Sequence, residues 1–241
     1  MRYLCNVSYD GKDYYGSQVQ KDKKTIEGEI ERVFSKVLNH KVNIILSSRT
    51  DRKVHAYNSY FHFDEDKCIN EDKLLTSVNK LINKDIYIKS IKKVSDDFHA
   101  RYSVKSKEYL YVINTGIYNP LMKDYELEYN KKIDIKLLKK ASKYLIGTHD
   151  FKSFTSDSLD KSSVRTINYI KIEEENELVK IYINGNGFLK YMVRNIVGLL
   201  LEINENKKRI EDIKVILESK DRCKLGVKAS PEGLYLNKVN Y

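Results

Sequence analysis

The sequence predicts an α+β protein, because the element order β-α-β-β-α-β can be traced twice along its 241 residues. Three observations carry this. Residues 2–9 alternate in strand fashion, with Tyr3, Cys5, Val7 and Tyr9 on one side. Two helical stripes follow, each leading into strand-like sequence. The second half then repeats the order with longer parts. The expected architecture is two ferredoxin-like domains, residues 1–97 and 98–241. They would form one extended antiparallel sheet with helices on one face and a cleft between the domains.

In chain order, the strand at 2–9 gives way to a turn-rich segment, YDGKDYYGSQVQKDKK. Apolar residues then fall at Ile26, Ile30, Val33, Phe34, Val37 and Leu38, a helical stripe that Thr25 can cap. Residues 41–48 and 55–64 read as strands, joined by the charged stretch around Asp51. Asn70 can cap a second helix with Leu74, Leu75, Val78, Leu81 and Ile82 inward, and 85–94 closes the half as a strand. In the second half, 103–114 alternates as a strand and 134–146 is a helix ending at Gly147. Strands follow at 164–174 and 178–185, then helices at 188–203 and 209–218, and a last strand at 233–241.

Lys and Arg number 44 against 34 Asp and Glu, a formal net charge of +10, which favours acidic partners such as nucleic acid or a membrane surface. There are 19 Tyr and no Trp; Tyr is a common strand residue, and it can also stack on unpaired bases. Cys5, Cys68 and Cys223 share no metal-ligand spacing, and their odd number argues against a disulfide framework. Reduced thiols, no apolar leader at the N-terminus and no membrane-length apolar run predict a cytoplasmic protein. Neither a metal site nor a phosphate-binding glycine loop stands out, so no cofactor is expected.

Several residues can carry chemistry. Asp51 lies in SSRTDRKVHAYN with Arg49 two positions before it. On a continuing strand the two side chains leave the same face, and a guanidinium can hold a carboxylate in bidentate geometry. The alternative is a solvated loop ion pair worth ~0–1 kcal/mol. Tyr109 and Tyr111 share a face of EYLYVI and either could stack on a base; ordinary strand packing is the alternative. His99 and Arg101 of FHAR could bind phosphate, or His99 could be a satisfied, partly buried imidazole. NGNGFLKYMVRNIVG runs a glycine turn into an apolar helix carrying Arg194 and Asn195, which could receive an anion or satisfy neighbouring strands.

Taken together, YDGKDYYGSQVQ, TIEGEIE, SRTDRKVHA, DDFHARYSVKSKEYLYVI, GTHDFKSF, SSVRTI, NGNGFLKYMVRNIVG and PEGLYLNKVNY resemble the TruA family of tRNA pseudouridine synthases, in the family's order and over nearly the whole chain. The resemblance implies two α+β domains and isomerisation of uridine at positions 38 to 40 of the tRNA anticodon stem-loop, usually by a homodimer. It implies Asp51 as the catalytic residue, Arg49 as its partner and Tyr109 as the ring that stacks on the target base. His55, Arg101, Arg165 and Arg194 are expected to bind substrate. The expected partner is therefore tRNA, held in the cleft, with no membrane and no small-molecule cofactor.

The chain departs from the family's Gly-Arg-Thr-Asp-Ala-Gly-Val-His at Ser48 and at Arg52-Lys53. Positive φ at the family's second Gly would strain Lys53 by about 1 kcal/mol. Arg52 and Lys53 are expected to favour the ionised form of Asp51 and could bind additional phosphate. Ser17 stands where the family has Trp, a loss expected to loosen the N-terminal loop. Two other readings remain at this point. One is a non-catalytic RNA-binding paralogue, favoured by Arg52-Lys53. The other is a metal-independent ribonuclease using His55, His62 or His99.

Overall fold

The computed structural model describes residues 1–156 and 162–241, which divide into two compact units, Met1–Lys105 with Tyr235–Tyr241, and Ser106–Leu234. The first unit contains β1 (Arg2–Tyr9), α1 (Ile26–Leu38), β2 (Ile45–Leu46), β3 (His55–Asp64), α2 (Glu71–Leu81) and β4 (Ile86–Val94). β1 lies between β3 and β4, antiparallel to both, with Cys5 opposite Phe61 on one side and Ile91 on the other. Tyr3, Cys5 and Val7 are fully buried, as their alternation predicts. Phe34 of α1 meets Phe61 and Phe63 of β3 edge-on, at 5.5 and 5.2 Å. The Thr25 hydroxyl caps α1 by accepting from Gly28 N–H, and the Asn70 side chain caps α2 through Lys73 N–H.

The strand expected at 41–48 is only two residues long. α1 explains this: the Ser35 hydroxyl takes the Val42 N–H at 2.8 Å and the Glu31 carboxylate takes the Ile44 N–H at 2.9 Å. Both donors are satisfied by side chains, so they are not available to a strand ladder. Leu81, expected inward, is 46% exposed in the last turn of α2.

The second unit contains β5 (Ser106–Asn114), β6 (Leu127–Glu128), α3 (Ile135–Ser142), β7 (Gly147–Asp150), β8 (Val164–Glu175), β9 (Leu178–Gly185), α4 (Met192–Asn204) and α5 (Asp212–Ser219). Its strands run β5-β9-β8-β7, with β6 parallel to β5. α3 is shorter than expected because a 3₁₀ turn, Lys143–Leu145, ends it before Gly147, whose φ is 107°. α4 begins at Met192 rather than 188 because Tyr191 adopts a left-handed φ of 64°. Its Gly198 lies against the 227–229 segment, where an added Cβ would sit 2.0 Å from the Val227 carbonyl oxygen.

The last strand, β10 (Leu234–Asn240), departs most from expectation. From Tyr235 it belongs to the first unit, not the second, and it runs parallel to β3, pairing Tyr235 with His55 and Leu236 with Ala56. The sheet is therefore not wholly antiparallel. Residues 98–105 also stay with the first unit, past the expected boundary at 97. The reason is local: Ala100 N–H donates to His62 Nδ1 at 3.0 Å, and Tyr241 Oη donates to the Ala100 carbonyl at 2.8 Å.

Candidate active site

The connection from β2 to β3 carries Asp51. Val54 N–H donates to the Asp51 carbonyl at 3.2 Å, which closes a four-residue turn with Lys53 at its third position. Lys53 has φ 65°, the left-handed conformation such turns ordinarily give to Gly. Thr50 anchors the turn from below. Its hydroxyl meets the buried Tyr9 hydroxyl at 2.8 Å, and its N–H donates to Ser17 Oγ at 2.8 Å. Ser17 N–H returns a bond to the Thr50 carbonyl at 3.0 Å. Ser17 is thus fully buried and ties the N-terminal loop to the Asp51 turn through its hydroxyl, rather than leaving slack. Burial pushes the Tyr9 phenol up to about 12, against its hydrogen bond with Thr50, so it stays protonated at neutral pH.

The segment after β1 packs directly on this turn, and two glycines allow it. A Cβ on Gly11 would sit 2.0 Å from the Val54 carbonyl oxygen, and one on Gly16 2.9 Å from the Thr50 carbonyl oxygen. His55 is buried beside them. Its Nδ1 accepts from Gly11 N–H at 3.1 Å and lies 3.1 Å from an Asp10 carboxylate oxygen, while its ring stacks on Tyr235 at 4.8 Å. Asp51 itself is partly exposed, on a turn whose two ends are fixed to buried groups. Arg49 is exposed and acts electrostatically on Glu27; burial raises that carboxyl, while the Val19 N–H and Arg49 oppose the rise.

Elsewhere in the first unit, Arg101 is exposed and its guanidinium lies 6.0 Å from the centre of the Tyr102 ring, which is 73% exposed. His99 holds this corner, with Nδ1 accepting from the N–H groups of Arg101 and Tyr102 at 3.1 and 3.3 Å. His62 is buried, and burial together with the charges of Arg2 and His99 pushes it down to about 4, against Asp64. It is a neutral acceptor in the scaffold.

In the second unit, Tyr109 is 8% exposed on β5 opposite Ile183 of β9, and Phe188 meets its ring edge-on at 5.1 Å. The Tyr111 hydroxyl donates to the Ser230 carbonyl at 2.7 Å, so that ring serves the core. Arg165 donates to the carbonyls of Ser162 and Val164 at 2.9 and 2.6 Å, and burial lowers its pKa. Arg194 is buried and donates through Nε to the Ala229 carbonyl at 2.8 Å. Asn195 donates to the Phe154 carbonyl at 2.7 Å.

The fold brings Asp51 and Arg49 onto the β2–β3 connection of the first unit, with His55 at the start of β3 and Arg101 on a separate corner. Tyr109, Arg165 and Arg194 belong to the second unit. Residue-by-residue reading missed Ser17, Thr50 and Tyr9 as supports of the turn, and Tyr15 and Lys23 beside Arg52. It also missed Tyr191, whose ring has Lys228 Nζ at 3.6 Å, Lys190 Nζ at 5.4 Å and the Arg194 guanidinium at 5.5 Å. The signal for Tyr15 and Lys23 was the Tyr and Lys density of residues 12–24. Among the described residues, no group of three His, Cys, Asp or Glu could hold a metal ion, and no helix is long and apolar enough to cross a membrane.

The fold is α+β, and its first unit presents a carboxylate, Asp51, on an inter-strand turn held by buried hydrogen bonds. The family described as tRNA pseudouridine synthase matches residues 6–103 and 141–241. The chain is 40% identical to tRNA pseudouridine synthase A 2 of Bacillus cereus over 99% of each chain. It is 39% identical to tRNA pseudouridine synthase A of Anoxybacillus flavithermus over 100% of this chain and 98% of the other. It is 40% identical to tRNA pseudouridine synthase A 2 of Clostridium tetani over 98% and 96%. A Cbf5-Nop10-Gar1 complex aligns with 97% of the chain and 57% of its own at 13% identity and TM-score 0.36, too distant to carry an argument. The chain belongs to the tRNA pseudouridine synthase family, a family of isomerases.

Proposed function

We propose that the protein isomerises uridine to pseudouridine in the tRNA anticodon stem-loop, with Asp51 as the catalytic residue. The observation that carries this is the Asp51 turn, which is held at Thr50 by buried hydrogen bonds while Asp51 itself reaches the surface, in a chain of this family. The reaction breaks the N1–C1′ bond and joins C1′ to C5; C5 loses its proton and N1 ends with one, so no redox partner is needed. Asp51 acts as nucleophile or as base toward the sugar. A base leaves its stack at a cost of a few kcal/mol, and the face of Tyr109 can return about 1–3 kcal/mol of stacking. Arg49, His55, Arg101, Arg165 and Arg194 are assigned to holding Asp51 and the RNA backbone, in a cytoplasmic homodimer.

Pseudouridine mapping of unmodified tRNA, incubated with wild type and with Asp51→Ala, tests the assignment. New pseudouridine from wild type alone is the expected result. No product from wild type, with tRNA still bound, would make the chain an RNA-binding module. Equal product from both would remove Asp51 from the chemistry.

A further inference from the structure

Arg52 occupies the second position of the Asp51 turn, and that turn leaves its backbone little freedom. Val54 N–H closes the turn on the Asp51 carbonyl, and Lys53 N–H reaches the Tyr14 carbonyl at 3.4 Å. The Arg52 guanidinium lies over the Tyr15 ring, 4.4 Å from its centre, and Lys23 Nζ lies 4.6 Å from the same centre. The backbone of Tyr15 is itself fixed. Its N–H donates to the Lys24 carbonyl at 2.9 Å, and its carbonyl accepts from Gln20 Nε2 at 2.6 Å. Tyr15 is 39% exposed, and Arg52 and Lys23 are exposed with it.

Among the described residues, neither Arg52 nor Lys23 is ion-paired with a carboxylate. The neighbouring Lys24 differs, because it sits 4.2 Å over Tyr14 and also lies 3.7 Å from the Asp85 carboxylate. Two cations sharing one ring repel each other, and an exposed cation–π contact returns only about 0.5–1 kcal/mol. A bound anion would offset this like-charge repulsion. A guanidinium with one face on a ring keeps its in-plane N–H donors for a bidentate acceptor, and phosphate matches that fork. Because the Tyr15 ring already holds two exposed cations, the site presents donors and positive charge to solvent rather than a bare ring for base stacking.

We infer that Arg52 and Lys23, mounted on Tyr15, bind a backbone phosphate of the RNA strand next to the nucleotide delivered to Asp51. This rests on Asp51 being the reacting group, since adjacency to Asp51 is what makes the phosphate a flanking one. Arg52 is then a substrate-positioning residue, and its effect falls on RNA affinity more than on the rate at saturation.

The test measures binding of an unmodified tRNA transcript to the full chain across a salt series, together with the rate of pseudouridine formation against tRNA concentration. Arg52→Ala should lower the slope of log affinity against log salt by about 1 and raise KM about tenfold, with a smaller loss in kcat. Adding Lys23→Ala should lower the slope further. Arg52→Lys should recover the slope but not the full affinity. Tyr15→Leu keeps every cation and should still weaken binding. Lys92→Ala, which removes a charge on β4 outside this cluster, is the control for net charge. A slope for Arg52→Ala equal to that of wild type overturns the phosphate site, as does a loss confined to kcat. Absence of pseudouridine from wild type instead overturns the functional reading, whatever the slopes.

Discussion

Lys53 carries a side chain in a left-handed conformation, at the position after the turn's solvent-facing Arg52. That conformation strains a non-glycine residue by about 1–2 kcal/mol. Gly would relieve the strain but gives back about 0.4–1 kcal/mol in unfolded-chain entropy. Lys53→Gly should therefore stabilise the fold by about 0.5–1 kcal/mol, read as a higher denaturant midpoint at unchanged slope. Ser17 carries the opposite prediction. Its Oγ is the acceptor for the buried Thr50 N–H. Ser17→Ala leaves that donor unpaired and should cost about 1–3 kcal/mol, with a fall in pseudouridine formation because the Asp51 turn loses its anchor. These supports were hard to read from sequence. A serine in a turn-rich segment gives no sign that it is buried, and its bond to Thr50 spans 33 positions of chain. Asp51 itself was legible only through the motifs around it.

At the scale of elements, β1 and α1 followed the apolar pattern most closely, because period and burial agree there, whereas α2 leaves Leu81 exposed and β3 buries adjacent residues. The pattern failed where side chains took over backbone bonds, as Ser35 and Glu31 do beside β2, and where strands were too short to show a period, as in β6 and β7. It also failed at Tyr191, where one left-handed residue delays α4. The corner at 98–103 shows a further limit: it is tied to β3 by His62, whose role as a neutral acceptor cannot be seen in a lone His. That role predicts a pH dependence. In the unfolded chain this His takes a proton near pH 6.5, while in the fold it does so only near 4. The unfolded state binds more protons between those values, so stability is full above about 6.5 and is lost as pH falls toward 4. His62→Gln, which can still accept from Ala100 N–H, should show a smaller drop in melting temperature between pH 7 and pH 5 than wild type.

For the whole molecule, the net charge of +10 implies a long-range attraction to RNA that individual contacts then refine. Overall tRNA affinity should fall steeply with salt, and a binding curve unchanged between low and physiological salt would contradict a backbone-held substrate. A second prediction concerns the C-terminal strand. Tyr235 stacks on His55 at 4.8 Å and on Tyr57 at 4.9 Å, and Asn58 Nδ2 donates to the Asn237 carbonyl at 3.0 Å. Deleting residues 235–241 uncovers the edge of β3 next to the Asp51 turn. The shortened chain should be cleaved in the first unit by limited proteolysis under conditions where the full chain resists.

The same strand sets an order of events on the ribosome. The first unit begins at Met1 but takes its final strand from Tyr235–Tyr241. The intervening unit, Ser106–Leu234, is synthesised whole before that strand exists. The nascent first unit must therefore wait with the edge of β3 open, and the Asp51 turn gains this neighbour only after the second unit has been made. A ribosome that stalls late would release a chain with Asp51 in place and its supporting edge still bare.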